Sequence, residues 1–240
     1  MSHTTAILQA VEPVSSQPSR AEEVYAQLKK DIADFRLVPG DRFSEHDVCN
    51  RLAVSRTPVR QALFRLQQEG LVEVIFRSGW RVLPFDFDRF DQLYDLRMVL
   101  ETTAAQRLCQ QEAAESAPMM EALKNRWLVP VGERSGDATQ VAVWDEDFHE
   151  TLVKAAGNTE MARVHHDVTE RIRIIRRLDF LKQMRIDATY EEHAKILRAI
   201  LARKADRAAL LLRSHIQASQ VEVRKITLHQ VFLARQSVAR

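Results

Sequence analysis

Apolar residues recur every four positions from residue 20 onward: Val24, Leu28 and Ile32 share one face, with Tyr25 and Phe35 beside it. That spacing predicts a helix. It closes at the turn "VPGD", residues 38–41, where Pro39 and Gly40 break regular structure. Two shorter helices follow. Ser44 is placed to cap the first, with Asp47 three residues on, and Val48 and Leu52 face inward. The second opens with Ser55 or Thr57 as cap and carries Pro58 in its first turn, where a missing N–H costs nothing. Its buried stripe is Val59, Ala62, Leu63 and Leu66, and Gly70 is a natural stop. Beyond it, "LVEVIF" and "WRVLPF" read as two strands joined by "RSG", a hairpin.

"PFDFD" at residues 84–88 marks a boundary. From residue 89 to about 228 the pattern is helical, in six or so segments with Gly and Pro nearly absent inside them. Breaks are expected near Ser116–Pro118, Pro130–Gly136, Gly157–Asn158, the polar stretch 182–187 and Lys204–Asp206. The fold class is therefore mainly α, a small unit with one β-hairpin followed by an antiparallel all-α helical bundle. The expected organisation is a flexible leader at 1–18, the small unit at 19–84, a linker at 85–88, the bundle at 89–228 and a tail at 229–240.

Composition narrows the class. The chain has 240 residues, 45% hydrophobic and 28% charged, enough for two units that each bury a core. Cys49 and Cys109 lie far apart with no metal-type spacing and read as reduced thiols. No uncharged apolar run approaches the roughly 18 residues a bilayer requires, so a cytoplasmic protein without a membrane partner is expected. A net charge of +2 means that any nucleic-acid surface must be a local patch.

One such patch stands out. Between Arg51 and Arg81 there are six arginines against only Glu69 and Glu73. If Val59, Leu63 and Leu66 point inward, then Arg56, Arg60 and Gln61 lie on another face, near the N-terminal end of their helix. In a helix-turn-helix that end meets base edges, and its free N–H groups can meet phosphate. Arginine offers a planar fork that matches guanine or a phosphate. Ser55 and Thr57 can donate to phosphates, and Gly79 at the hairpin tip permits close approach to a groove. A solvated arginine face is the plainer alternative, but the order helix-turn-helix plus wing argues against it.

At these residues the chain resembles the winged helix-turn-helix of GntR-type bacterial transcription regulators. "SRTPVRQAL", the downstream "LQQEGLV" and the glycine-bearing wing occur in order. The resemblance implies double-stranded DNA as partner, contacted by Arg56, Thr57, Arg60 and the wing around Gly79. One position departs from the pattern: His46 stands where the family usually has arginine. Either a contact is lost there, or the histidine makes a weaker, pH-sensitive one.

A second constellation lies in the bundle. "WDEDFHETL" places Asp145 and His149 four residues apart, on one helical face. His193 shares the stripe of Ile196, Leu197 and Ile200, and His215 that of Leu211, Leu212 and Ile216. Three histidines and a carboxylate on inward faces can converge in a bundle core, and such donors suit Zn, Ni, Mn or Fe. Any one of these histidines taken alone is more often a packed or hydrogen-bonded residue. Here the chain resembles the helical FCD domain of the FadR-like branch of GntR regulators, through "DEDFHETLVKAAGN", "EEHAKILRAI" and "SHI". The resemblance thus runs from about Arg20 to Val223. It implies that Asp145, His149, His193 and His215 bind one divalent metal.

His165 also falls on an inward face, with Met161, Val168 and Ile172, but matches no family motif and is taken as core. Arg97, in "LYDLRMVLE", is a candidate to pair with an effector carboxylate. A salt bridge to acids around Asp145 or an interdomain contact is as good a reading of it. The arginines of "RIRIIRR", residues 171–177, are read as a solvated or dimer-facing edge, with one of them reaching the ligand as the alternative.

The expectation is a ligand-responsive DNA-binding regulator and not an enzyme. It would be a homodimeric repressor that reads a near-palindromic operator and is controlled by a small carboxylate effector at or near the metal. One alternative is a DNA-binding dimer whose bundle is purely structural and holds no metal. A more distant one is a metal-dependent enzyme with an appended DNA-binding module. Against it, no catalytic base can be placed by spacing. Glu146 and Glu192 adjoin metal-type residues, and helical neighbours one apart face different directions.

Overall fold

The computed structural model describes residues 18–180, 183–226 and 236. The leader expected at 1–18 and the tail expected at 229–240 lie outside the described residues but for 18 and 236.

Helix α1 spans Arg20–Ala33 and opens with a capping box, the Ser19 hydroxyl accepting from the Glu22 N–H and the Glu22 carboxylate from the Ser19 N–H. Val24, Leu28 and Ile32 are buried, as their spacing predicts, and the helix packs on α3. Strand β1, Arg42–Phe43, leads into α2, Glu45–Leu52, where Ser44 and Asp47 form the expected capping box. Helix α3 is Arg56–Gln68 and buries Val59, Ala62, Leu63 and Leu66. Ser55, not Thr57, is its N-cap residue, and the Ser55 side chain makes no capping bond.

The hairpin is β2, Val72–Ile75, and β3, Gly79–Val82. The pairing is antiparallel in the order β1-β3-β2, with Phe43 opposite Trp80 and Glu73 opposite Arg81. The two-residue β1 is the element that periodicity does not predict, because it exists only through its partner. Gly79 is required inside this sheet. Its φ is +89°, and a Cβ there would lie 2.6 Å from the Phe43 carbonyl oxygen.

Six helices follow among the described residues: α4 Phe87–Gln110, α5 Ala113–Trp127, α6 Ala138–Ala155, α7 Thr159–Asp179, α8 Gln183–Leu201 and α9 Ala205–Arg224. Two expected breaks are displaced. The α4–α5 break falls at Gln111–Glu112, and Ser116 and Pro118 lie within α5. One hydrogen bond lost at Pro118 is outweighed by burial of Met120, Leu123 and Trp127 on the turns that follow. The stretch expected to be irregular at 182–187 is already α8 from Gln183 onward. There Ile186, Thr189 and Tyr190 are buried, so polarity around them did not stop the helix.

Helix α4 packs most extensively along α9, and α6 lies against α4 and α7. The faces that meet between α6, α8 and α9 carry the histidines. Toward the small unit, α1 packs on α7. Phe85, Phe87 and Phe90 form a mutually packed trio with ring centroids 6.0–6.4 Å apart, so the boundary segment is anchored and not loose.

In the run "RIRIIRR" Arg171 is exposed, as a solvated edge requires, but the other arginines are drawn into ion pairs. Arg176 is buried and ion-paired to Asp145. Arg173 pairs with Glu146 at 2.8 Å and also with Glu170. Arg177 pairs with Asp34 at the end of α1. Acids from α6, from the end of α1 and from α7 itself take these charges, which a linear reading does not place beside them.

Candidate functional site

The candidate recognition surface is the exposed face of α3. Burial of Val59, Leu63 and Leu66 turns Arg56, Thr57, Arg60, Gln61 and Phe64 outward. No acid occupies the first turn of α3, so the positive end of its dipole is unshielded on that side. The arginine excess in Arg51–Arg81 resolves once the fold is drawn. Arg51 pairs with Asp31 at 2.6 Å. Arg65 lies 3.8 Å from the Tyr25 ring centre and 3.6 Å from Glu69. Arg81 pairs across the sheet with Glu73, and Arg60 with Glu45 at 2.8 Å. Among the described residues, Arg56 at the start of α3 and Arg77 at the wing tip have no acidic partner. His46, on α2, faces Asn50 at 3.0 Å and is exposed.

The second centre is buried. Asp145 and His149 come from one face of α6, His193 from α8 and His215 from α9, and one donor atom from each lies within 4.8 Å of all the others. The Nε2 atoms of His149 and His215 are 3.1 Å apart, and those of His193 and His215 are 3.4 Å apart. Asp145 Oδ1 lies 3.6 Å from His149 Nε2 and 3.3 Å from His193 Nε2. All four residues are at most 3% exposed.

The surroundings orient these groups and set the charge of three of them, Asp145, His193 and His215. His149 Nδ1 faces Glu101 Oε2 at 2.5 Å, and His215 Nδ1 faces Glu192 Oε2 at 2.6 Å. Each Nδ1–H donates to its carboxylate, which turns Nε2 toward the other donors. Burial foremost pushes His193 and His215 well below the ordinary imidazole range, so both stay neutral. Asp145 stays ionised: burial raises its pKa, but Arg176 and the facing imidazoles hold it well below the carboxylate range. The neutral His193 and His215 face each other through Nε2 at 3.4 Å beside the ionised Asp145, an arrangement that a cation among them would satisfy. Donors sharing a metal at about 2.1 Å would sit roughly 3.0–3.4 Å apart, so the group could hold one.

The structure thus brings together the four residues singled out in the bundle. It leaves His165 out: His165 Nε2 meets Glu101 Oε1 at 2.9 Å, away from the donor cluster. Arg97 is fully buried, and its Nε donates to Glu101 Oε1 at 2.6 Å, an ion pair within α4. Glu101 therefore serves Arg97, His149 and His165 at once. Burial raises its pKa, but Arg97 and the histidines override that and keep it well below the ordinary value. Sequence reasoning missed Glu101 and the role of Glu192, and it did not single out Arg176 among the arginines of residues 171–177. The spacing Arg97–Glu101, four residues apart along a buried stripe, was the available signal for the first. Phe148 stacks on the His193 ring at 3.7 Å and Trp127 meets it edge-on at 4.2 Å, which fixes that imidazole although its Nδ1 has no partner.

Among the described residues no helix is long and apolar enough to cross a membrane. Comparison with known proteins matches residues 20–82 to bacterial regulatory proteins of the gntR family and residues 92–218 to the FCD domain. The Nta operon transcriptional regulator of Aminobacter aminovorans is 30% identical over 75% of this chain and 82% of its own. The gluconate operon transcriptional repressor of Bacillus subtilis is 26% identical over 92% of this chain and 91% of its own. A GntR regulator from Rhodococcus sp. RHA1 shares the fold, with a TM-score of 0.70 at 23% identity, over 88% of this chain and all of that one. These relatives are transcriptional regulators, not enzymes. With both modules matched in order, the chain belongs to the GntR family of DNA-binding transcriptional regulators, in the branch that carries an FCD domain.

Proposed function

We propose that this regulator is a repressor whose operator affinity is set by a small carboxylate bound beside a divalent metal held by Asp145, His149, His193 and His215. The observation that carries the reading is a pair of buried cations next to the donor group. Arg97 keeps Nη1 and Nη2, and Arg176 keeps Nη1, without a hydrogen-bond partner. A buried guanidinium N–H left unpaired is costly, and a carboxylate presents the matching pair of acceptors. A divalent ion at the cluster would add open positions for an effector oxygen. Zn, Ni, Mn and Fe all suit three imidazoles and one carboxylate.

Helix α7 supplies the route to DNA. Its inner face carries Arg176 against Asp145, while Glu170 meets Lys29 of α1 at 3.1 Å and Arg177 meets Asp34. A ligand that draws on Arg176 therefore acts on the helix against which the winged unit is seated. Differential affinity for two arrangements of that seat is what shifts operator binding. On the DNA side, Ser55, Arg56, Thr57, Arg60 and the wing around Gly79 face the duplex, with His46 beside them. A cytoplasmic homodimer would present two such surfaces to a near-palindrome. The gluconate operon relative is a repressor by name, which supports the sign.

The test uses untagged protein and an operator selected from a random duplex library at stated salt, because affinity depends steeply on it. Metal should be stoichiometric in the native protein and depleted in His193→Ala. At least one small carboxylic acid should release the operator from metal-loaded protein only. Stoichiometric metal in His193→Ala would put the metal elsewhere, equal release without metal would take the metal out of effector binding, and protein with neither metal nor release would be left with a structural bundle; each overturns the proposal.

A further inference from the structure

We propose that Glu45 is a positioning residue for sequence recognition: it holds Arg60 by one edge so that the rest of the guanidinium is presented to a base. The proposal rests on the reading that α3 faces the duplex. Arg60 Nε donates to both carboxylate oxygens of Glu45, at 3.0 and 2.8 Å. Glu45 is the first residue of α2, directly after Ser44, whose capping box with Asp47 fixes that turn. The acid is therefore mounted on an ordered helix start, and its side chain is only 24% exposed, against 58% for Arg60.

An ion pair this open adds little to stability, so folding does not account for it. Nor does it serve attraction to DNA, since a carboxylate beside the recognition face repels phosphate. What it does is geometric. With Nε occupied, Arg60 has Nη1 and Nη2 left for a bidentate contact such as guanine O6 and N7. Arginine otherwise carries a large rotamer entropy that a base contact would have to overcome. Holding the Nε edge removes part of that cost before the duplex arrives. The same carboxylate weakens contact with any phosphate backbone, whatever its sequence. Both effects raise the ratio of specific to non-specific binding, the quantity that matters for a regulator among many competing sites.

Charge removal and loss of orientation thus act in opposite directions, which a merely structural role would not produce. Against a selected operator, a panel of its single base-pair variants and a random duplex, Glu45→Ala should bind random DNA about two- to threefold more tightly. It should also lose about tenfold in discrimination at the base pair that Arg60→Ala identifies. Glu45→Gln keeps one acceptor for Nε, so it should gain the same non-specific affinity and retain part of the discrimination. Thermal melting of both variants should stay close to that of the parent. If Arg60→Ala loses discrimination at one base pair while both Glu45 variants keep it, the positioning role is wrong and the reading of α3 stands. If Arg60→Ala leaves every base pair unchanged, the reading of α3 fails at this residue and takes the proposal with it.

Discussion

Replacing Arg176 by methionine asks whether Asp145 really faces a cation site. In the metal-free protein Arg176 is the charged partner of Asp145, and both side chains are 3% exposed. Methionine fills much of the arginine stem but leaves the carboxylate stranded in the core. Stranding one member of a buried pair costs about 3–5 kcal/mol, a large share of the roughly 5–15 kcal/mol that holds a domain together. Asp145→Asn combined with Arg176→Met should recover most of that loss, since no isolated charge remains. With a divalent ion at the cluster, Asp145 regains a cation, so the cost of Arg176→Met should shrink. By linkage the same difference appears as tighter metal binding, tenfold for each ~1.4 kcal/mol. Urea unfolding with and without metal, together with competition against a chelator, measures both sides of this cycle. Equal destabilisation in the two forms would refute it, because Asp145 would then not sense the ion.

Metal-free protein should lose stability as pH falls below about 6.5. His193 and His215 lie well below that value when folded, so the unfolded chain binds more protons there and gains on acidification. Urea midpoints between pH 7.5 and 5 that stay level or rise would contradict it. Gly79→Ala should destabilise the winged unit by roughly 1–3 kcal/mol, through left-handed φ and the clash with the Phe43 carbonyl. An unchanged melting temperature would show that the sheet relaxes freely. Lys29→Ala removes the contact to Glu170 and should shrink the difference in operator affinity between metal-free and metal-loaded protein by about threefold or more, a coupling of ordinary size. The same difference in the variant would rule this contact out of the coupling.

The fold was legible wherever local signals decided it. Four-residue spacing of Val24, Leu28 and Ile32 marked α1, and the Ser44–Asp47 pair marked the start of α2. Misplacements came where tertiary contacts outweighed composition. Pro118 did not stop α5, because the residues after it bury against α6 and α8. Strand β1 is two residues long and owes its existence to pairing with β3, far along the chain. No period can be read from two residues.

The buried centre divides in the same way. His149 lies one helical turn beyond Asp145, and His193 and His215 announce themselves on apolar stripes, so their inward direction was readable. Their supports were not, because each reaches in from a different helix. Glu192 shows why the neighbour rule was only half the story: it does point away from the side of α8 that carries His193, yet that direction leads to His215 Nδ1 on α9. The arginines of α7 teach the same lesson with opposite sign. Seven residues rich in charge read as surface, but only Arg171 of their arginines lies on the solvent face of α7. Glu146 and Asp145 draw Arg173 and Arg176 inward, while Asp34 draws Arg177 toward α1. A helix pinned by charge on both sides resists a shift at one end alone. On the proposed function, a ligand that alters the pairing of Arg176 with Asp145 acts on the same helix whose Glu170 and Arg177 meet Lys29 and Asp34 of the winged unit.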